Sequence, residues 1–378
     1  MAAFFFYGTL CHAPLLAAVL GLPEADLKPR LAAATLPDHR VSWVKNEAYP
    51  MIEHCPGEQA VGVLLSDVSP DEEARLSYYE GAFSYRLEDV KVAAFGTSVK
   101  AVCYFPVTSG QTRGAPWVLQ DWATVWGDMA EGSARDVMAR RARYDADTVG
   151  ALFPFLMARH WARKMARHTP PANTLRHAPG PDDVTMHARL PGYRGFFDLA
   201  EFRLDHKRFD GSRSPEVVRE AFLAFDAALV LPYDPVLDQV LLIEQLRYGP
   251  LLRDDPNPWV FEPIAGLVDA GEDPADTARR EAVEEAGLEL GPLELMTRVY
   301  ASPGYSTEFF HCYLSVCDLS GVTSSVGGLL SEHEDIRSHV LSFDGAMDLI
   351  KTGEINAGPL VMMLYWLMAH RAGLRADA

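Results

Sequence analysis

The sequence predicts a mixed α/β fold, α+β in its broader arrangement, built from two domains and a helical connector. Three observations carry this. An apolar run, Phe4-Phe5-Phe6-Tyr7, meets a Gly8-Thr9 turn and then a helical stretch over 14–20. Between 186 and 378, strand-length apolar runs alternate with helical periodicity. One helix in that half also carries explicit start and stop signals, Asp273-Pro274 and Gly287. Strands packed between helices form layered α/β domains, and 378 residues suit two or three of them.

In the first domain, 1–110, the strand-to-helix turn at Gly8-Thr9 presents backbone N–H groups of the kind that hold anions. Further strands are expected at 60–65, 87–94 and 99–105, and a short helix at 70–79 leads to Glu80-Gly81. A connector over 111–185 shows helical periodicity at 117–130 and 133–167, anchored by Trp117, Trp122, Trp126, Phe153, Leu156 and Trp161. Its arginines and lysine read as a solvated face that balances acidic neighbours. The prolines and glycines of 169–173 and 179–183 read as a linker.

The third segment, 186–378, begins with an alternating strand over 196–208. A strand at 227–233 then turns at Pro232-Tyr233-Asp234-Pro235 into its pair at 239–244. The run 259–263 leads to Ile264-Ala265-Gly266 and the helix beginning at Pro274. Asp273 suits the N-cap, Pro274 the first helical position and Gly287 the position past the end. Ala275, Ala278, Ala282 and Ala286 make a narrow stripe for close packing. Glu281, Glu284 and Glu285 share the adjoining face, where like charges repel by roughly 0.2–0.5 kcal/mol per close pair. A hard divalent cation with oxygen ligands would relieve that repulsion. Strands at 293–301 and 308–316 and helices at 343–353 and 359–371 complete the domain.

Gly266, Glu272, Arg280, Glu281, Glu284, Glu285 and Gly287 match every fixed position of the Nudix signature, with Ala282, smaller than usual, and Leu288 at its hydrophobic positions. Residues 190–370 further resemble the bacterial ADP-ribose pyrophosphatase subgroup. They carry Ser302-Pro303-Gly304, Glu244-Gln245-Leu246-Arg247 and the acidic run Glu332-His333-Glu334-Asp335. The resemblance implies an α/β/α sandwich that hydrolyses a nucleotide diphosphate with Mg²⁺, Mn²⁺ being a possible substitute. It implies metal ligands at Glu281, Glu285, Glu334 and the Ala265 carbonyl, with Glu284 assisting and Arg280 orienting the glutamates. Glu332 would be the base for the attacking water. Arg247 would clamp the diphosphate, Glu308 would take the terminal ribose, and Ser302 and Pro303 would shape the substrate loop. It also implies a homodimer through this domain, with Phe196, Phe197, Leu199 and Phe202 as contact residues. Another nucleoside diphosphate sugar or a dinucleotide is the alternative substrate. A sensor that does not cleave is disfavoured, because the signature keeps all its carboxylates.

The first domain resembles the gamma-glutamylcyclotransferase-like family. The motifs are Tyr7-Gly8-Thr9-Leu10, Tyr49-Pro50, Gly62 before a strand, and Glu80-Gly81 followed by Tyr85-Arg86. The implied fold is a β-barrel with helices, in which Glu80 moves a proton and the Tyr7–Leu10 turn holds the substrate. Ser77 departs from the aspartate usual there. The pairing of the two domains also resembles tellurite-resistance proteins of the TrgB type.

Composition narrows the partners. The net charge of −18 disfavours nucleic-acid binding, which needs basic surface. Five scattered cysteines without a CxxC pair fit reduced thiols and a cytoplasmic setting. The apolar start has no basic segment before it and is broken by Gly8, His12 and Pro14, so a secretion signal is not expected. No run reaches about 18 uninterrupted apolar residues, so no membrane partner is expected.

Overall fold

The computed structural model describes residues 2–83, 85–107, 110–170, 174–190, 192–329 and 333–378. The chain divides into two compact units, Met1–Lys164 and Met165–Ala378.

In the first unit the elements run β1 (Ala2–Phe6), α1 (Ala13–Leu20), α2 (Glu24–Leu27), β2 (Leu31–Val44), β3 (Pro50–Val68), α3 (Pro70–Gly81), β4 (Tyr85–Ala94), β5 (Thr97–Pro106), β6 (Arg113–Pro116), α4 (Leu119–Met138) and α5 (Ala146–His168). The sheet order is β3-β1-β5-β4-β2, and β2 pairs again with β3, which closes a five-stranded barrel; β6 extends the β2 edge. β1 pairs parallel with β5 and antiparallel with β3. Phe5, Leu36, Leu64, Val92 and Cys103 fill the barrel. Phe4, Phe6 and Leu65 pack outward on α1, α3 and α4. α3 starts in a capping box between Ser69 and Glu72, and Arg30 closes on both Glu72 oxygens at 2.6 and 3.0 Å.

The connector helices differ from expectation in where they break. α4 runs straight through Gly132, where the missing Cβ makes room for His160 of the neighbouring helix, which a Cβ would meet at 2.3 Å. The chain turns instead at 139–145, and Asp145 caps α5 by accepting from Thr148 N–H. Trp122, Ala134, Val137, Val149 and Leu156 of these helices belong to the core of the first unit.

The second unit contains β7 (Val184–Leu190), β8 (Asp198–His206), β9 (Val217–Leu223), β10 (Asp226–Asp234), β11 (Gln239–Leu246), α6 (Tyr248–Leu252), β12 (Trp259–Glu262), β13 (Ile264–Leu267), α7 (Pro274–Ala286), β14 (Leu293–Tyr300), β15 (Phe309–Val316), β16 (Val326–Gly327), β17 (Ile336–Ser342), α8 (Phe343–Thr352) and α9 (Gly358–Ala376). Strands β7-β8-β9 form a separate antiparallel sheet, so the single strand expected over 196–208 is the middle of three. The main sheet runs β14-β15-β10-β11-β17-β16. β10 and β11 pair only at Tyr233–Val240 and Asp234–Gln239 and then part. Beyond that point β13 pairs with β10, and β12 with β11.

Side chains alternate across a strand. Ala227, Leu229, Leu231 and Tyr233 pack with Phe343, Leu360, Met363 and Leu367 of α8 and α9. The opposite face of β10 and β13 receives α7, whose buried residues include Ala278, Ala282 and Glu285. The sandwich thus presents the acidic helix to the strands that leave the β10–β11 pairing.

Candidate functional site

α7 is positioned by local chemistry. Asp273 accepts from Ala275 N–H at 2.9 Å, Pro274 occupies the first turn, and Gly287 ends the helix at φ 62°. Arg280 stands at the centre of the acidic group. It donates to Glu281 at 2.7 Å, to Glu284 at 3.1 Å, to both Glu272 oxygens at 3.1 and 3.2 Å, and to the Leu267 carbonyl at 3.3 Å. One guanidinium therefore ties the helix to the loop before it.

Glu285 is almost wholly buried and accepts from Ala265 N–H at 3.1 Å. Burial holds its carboxyl well above the usual range; the Glu281 and Glu334 charges add to this, and Arg247 offsets part of it. Burial likewise pushes Glu281 up to about 7 against the pull of Arg280. Glu334 accepts from Leu329 N–H at 3.1 Å. Glu308 is raised by burial and lowered by Arg247. Arg247 is itself held through Nε by Glu262 at 2.7 Å. Glu281, Glu285, Glu334, Glu308 and Arg247 thus act on one another electrostatically around one end of α7. Ser302 begins the turn that contains Pro303, accepting from Tyr305 and Ser306 N–H, and this loop is bonded to β9 through Tyr305 O and Phe222 N–H at 2.7 Å. Glu332 lies outside the described residues.

Two observations fit a divalent cation here. Gly266 leaves the space that Glu281 fills, since a Cβ on it would sit 1.8 Å from Glu281 Oε1. The donors are also hard oxygens whose buried charge lacks full compensation. Among the described residues, no three His, Cys, Asp or Glu side chains are already drawn around one point. Like charges in a dry site stay apart, and Glu281, Glu284, Glu285 and Glu334 each take an N–H or guanidinium donor instead.

The first unit has its own cleft. It is lined by Tyr7, Gly8, Thr9, Leu10, Tyr49, Pro50, Glu80, Tyr85 and Tyr104. The four turn residues and Glu80, 70 or more positions apart in the chain, therefore meet. Gly8 is required by close approach, since a Cβ would lie 2.9 Å from the Pro50 ring. Burial pushes Glu80 up to about 8. Burial also raises Tyr7 and Tyr85, and the Tyr7 hydroxyl is buried without a well-formed hydrogen bond.

Glu80 gives a pH prediction. Between about 4.5 and 8 the folded protein holds this proton and the unfolded chain does not. The first unit is therefore expected to lose stability as pH rises through that window, by at most roughly 1.4 kcal/mol per pH unit, and to level off above it. Urea midpoints of the full chain and of Glu80→Gln from pH 5 to 9 check this: the parent falls relative to the variant up to about 8. A constant gap refutes it.

Sequence reasoning missed Glu262, the grip on Arg247. An acid closing the short apolar strand Trp259–Glu262 was its only local signal. It also missed the buried Asp226–His311 pair, which joins residues 85 positions apart.

An α/β/α sandwich with a buried acidic cluster organised by one arginine defines a phosphohydrolase-type centre. The NUDIX domain model matches residues 224–362, and the model for Gamma-glutamyl cyclotransferase, AIG2-like, matches residues 4–124. The chain is 40% identical over 198 residues to an ADP-ribose pyrophosphatase of Escherichia coli K12, covering 52% of this chain and 94% of the relative. It is 38% identical over 195 residues to an ADP-ribose pyrophosphatase of Haemophilus influenzae, covering 51% and 89%. A GDP-mannose pyrophosphatase of Escherichia coli O1:K1 is 34% identical over 179 residues, covering 46% and 90%. The chain belongs to the Nudix hydrolase family and carries an AIG2-like gamma-glutamyl cyclotransferase domain ahead of the Nudix domain. It is a pyrophosphohydrolase of a family that works with divalent metal ions.

Proposed function

We propose that the second unit hydrolyses ADP-ribose to AMP and ribose 5-phosphate with Mg²⁺, for which Mn²⁺ can substitute. The observation that carries this is Glu281, held by Arg280, acting electrostatically on the buried Glu285, which Ala265 N–H holds, with Arg247, Glu308 and Glu334 acting on the same cluster. The names of the relatives that this chain covers almost entirely support the substrate.

In this reading Glu281, Glu285, Glu334 and the Ala265 carbonyl hold the cation, and Glu284 assists. Such a cation, when bound, neutralises diphosphate oxygens and makes nearby water more acidic. Arg280 fixes the glutamates by charge-assisted hydrogen bonds. Arg247, gripped at Nε, keeps its two terminal nitrogens for the diphosphate. Glu332 takes the proton of the attacking water. Water oxygen bonds to one phosphorus, the bridging oxygen leaves with the other, and the active site serves mainly by positioning and charge. Glu308 binds the terminal ribose, and the Ser302–Pro303 loop borders it.

Purified protein with Mg²⁺ is expected to release AMP and ribose 5-phosphate from ADP-ribose faster than it cleaves GDP-mannose, NADH or diadenosine polyphosphates. Glu332→Gln is expected to lower turnover while Mg²⁺ affinity is kept. A preference for GDP-mannose would favour the second reading, another nucleoside diphosphate sugar, which the GDP-mannose pyrophosphatase relative suggests. Inertness toward the whole panel would reject both readings.

For the first unit we propose a cyclotransferase-type cleft in which Glu80, made more basic by burial, takes a proton from the attacking amine as carboxylate and returns it to the leaving group. Homodimerisation through the Nudix domain, a cytoplasmic setting and working domains of 1–110, 111–185 and 186–378 complete the proposal. A stress-linked role of the tellurite-resistance type is its physiological extension.

A further inference from the structure

Asp226 and His311 are both about 93% buried, at 7% exposure each, and His311 Nε2 stands 2.8 Å from Asp226 Oδ2. The mechanism above gives them no task. A buried pair of this kind is costly compared with two apolar side chains of similar volume. The cost is greater here, because His311 Nδ1 is buried and has no hydrogen-bond partner among the described residues.

The register shows what the pair touches. β10 lies between β15 and β13 and pairs with both. Asp226 is its first residue. The side chain of Asp226 reaches His311 on β15, and its backbone carbonyl accepts from Val268 N–H at 3.0 Å, just past β13. The next residues pair Ala227 with Leu267, Ala228 with Gly266 and Leu229 with Ala265. Those partners are the ones that meet the acidic helix. Arg280 donates to the Leu267 carbonyl, Gly266 abuts the Glu281 carboxylate, and Ala265 N–H donates to Glu285.

We propose that Asp226 and His311 are positioning residues: by locking the first residue of β10 to β15, they fix β13 against α7 and so set the placement of Glu281, Glu285 and the Ala265 carbonyl toward a cation. This rests on the reading of that cluster as the cation site. Neither side chain touches the cluster, and the backbone of 265–268 carries the effect.

The test uses the full-length protein and three substitutions, His311→Phe, His311→Gln and Asp226→Asn. A glutamine amide can donate from the place of Nε2, whereas phenylalanine fills the volume and donates nothing. Mn²⁺ binding is measured by calorimetry without substrate, beside kcat, KM and thermal midpoint. His311→Phe is expected to weaken Mn²⁺ binding by about tenfold, the lower end for groups behind a ligand shell. Its kcat should fall in parallel, with KM within about threefold of the parent. His311→Gln should recover most of both, and Asp226→Asn, whose amide oxygen can still accept from Nε2, should stay closer to the parent than His311→Phe. Parent-like Mn²⁺ binding in His311→Phe overturns the proposal. So does His311→Gln as impaired as His311→Phe, because that pattern reports shape. A parent that binds Mn²⁺ but cleaves none of the diphosphates refutes the functional reading instead, and the binding series still decides the role of the pair.

Discussion

Glu285→Gln is expected to lose on the order of a hundred-fold or more in turnover while folding as well as the parent. The carboxylate it replaces is almost wholly buried and held well above its usual range by that burial. Removing a charge the interior resists does not destabilise the fold, so the thermal midpoint should hold or rise. The amide keeps an oxygen to accept from Ala265 N–H, which preserves the local backbone. Only the negative charge offered to a cation is lost. Glu281→Gln should behave alike, with Arg280 still able to donate to its amide oxygen. Turnover with saturating Mg²⁺ and a melting curve check both. Normal AMP release by either variant would remove the metal assignment.

Gly266→Ala is expected to be nearly as damaging through one methyl group. A Cβ at 266 would lie 1.8 Å from Glu281 Oε1 and 2.0 Å from its carboxyl carbon. No contact of that length survives, but the obstructing atoms end a flexible side chain rather than a strand. The glutamate should therefore swing away and the fold should persist. Turnover is expected to fall by about a hundred-fold and the metal half-saturation to rise, with a thermal midpoint within a few degrees of the parent. Parent-like metal half-saturation would show that Glu281 is no part of the cation site.

The legible parts of this protein were those fixed by neighbours in the chain. α7 announces itself through Asp273, Pro274 and Gly287, and the acids on it fall at helical spacing. β10, β11 and β15 are apolar runs bounded by turns and were expected nearly where they lie. β2 was not. It holds Ala32-Ala33-Ala34 and Pro37-Asp38, poor strand formers, with Asp38 at φ 55°, and its long pairing with β3 overrides that preference. β3 was foreseen only at 60–65, because Pro56-Gly57 reads as a break although the strand runs through it.

The site divides in the same way. The resemblance named Tyr7, Gly8, Thr9, Leu10 and Glu80, and barrel closure brings them into one cleft. The burial that lifts Glu80 is a property of the closed barrel, which no local pattern encodes. Arg247 was named, but its grip by Glu262 depends on the β11–β12 pairing. The Asp226–His311 bond depends on a parallel pairing between distant strands and leaves no trace at either position.

The parting of β10 and β11 has one more consequence. Two neighbouring strands that stay joined at a single end behave as a half-opened zipper, and each opened side is resealed by a four-residue strip, Trp259–Glu262 or Ile264–Leu267. The first strip carries Glu262, which grips Arg247, and the second carries the backbone that meets Glu285 and Arg280. A change confined to one strip is therefore expected to leave the anchorage made by the other in place.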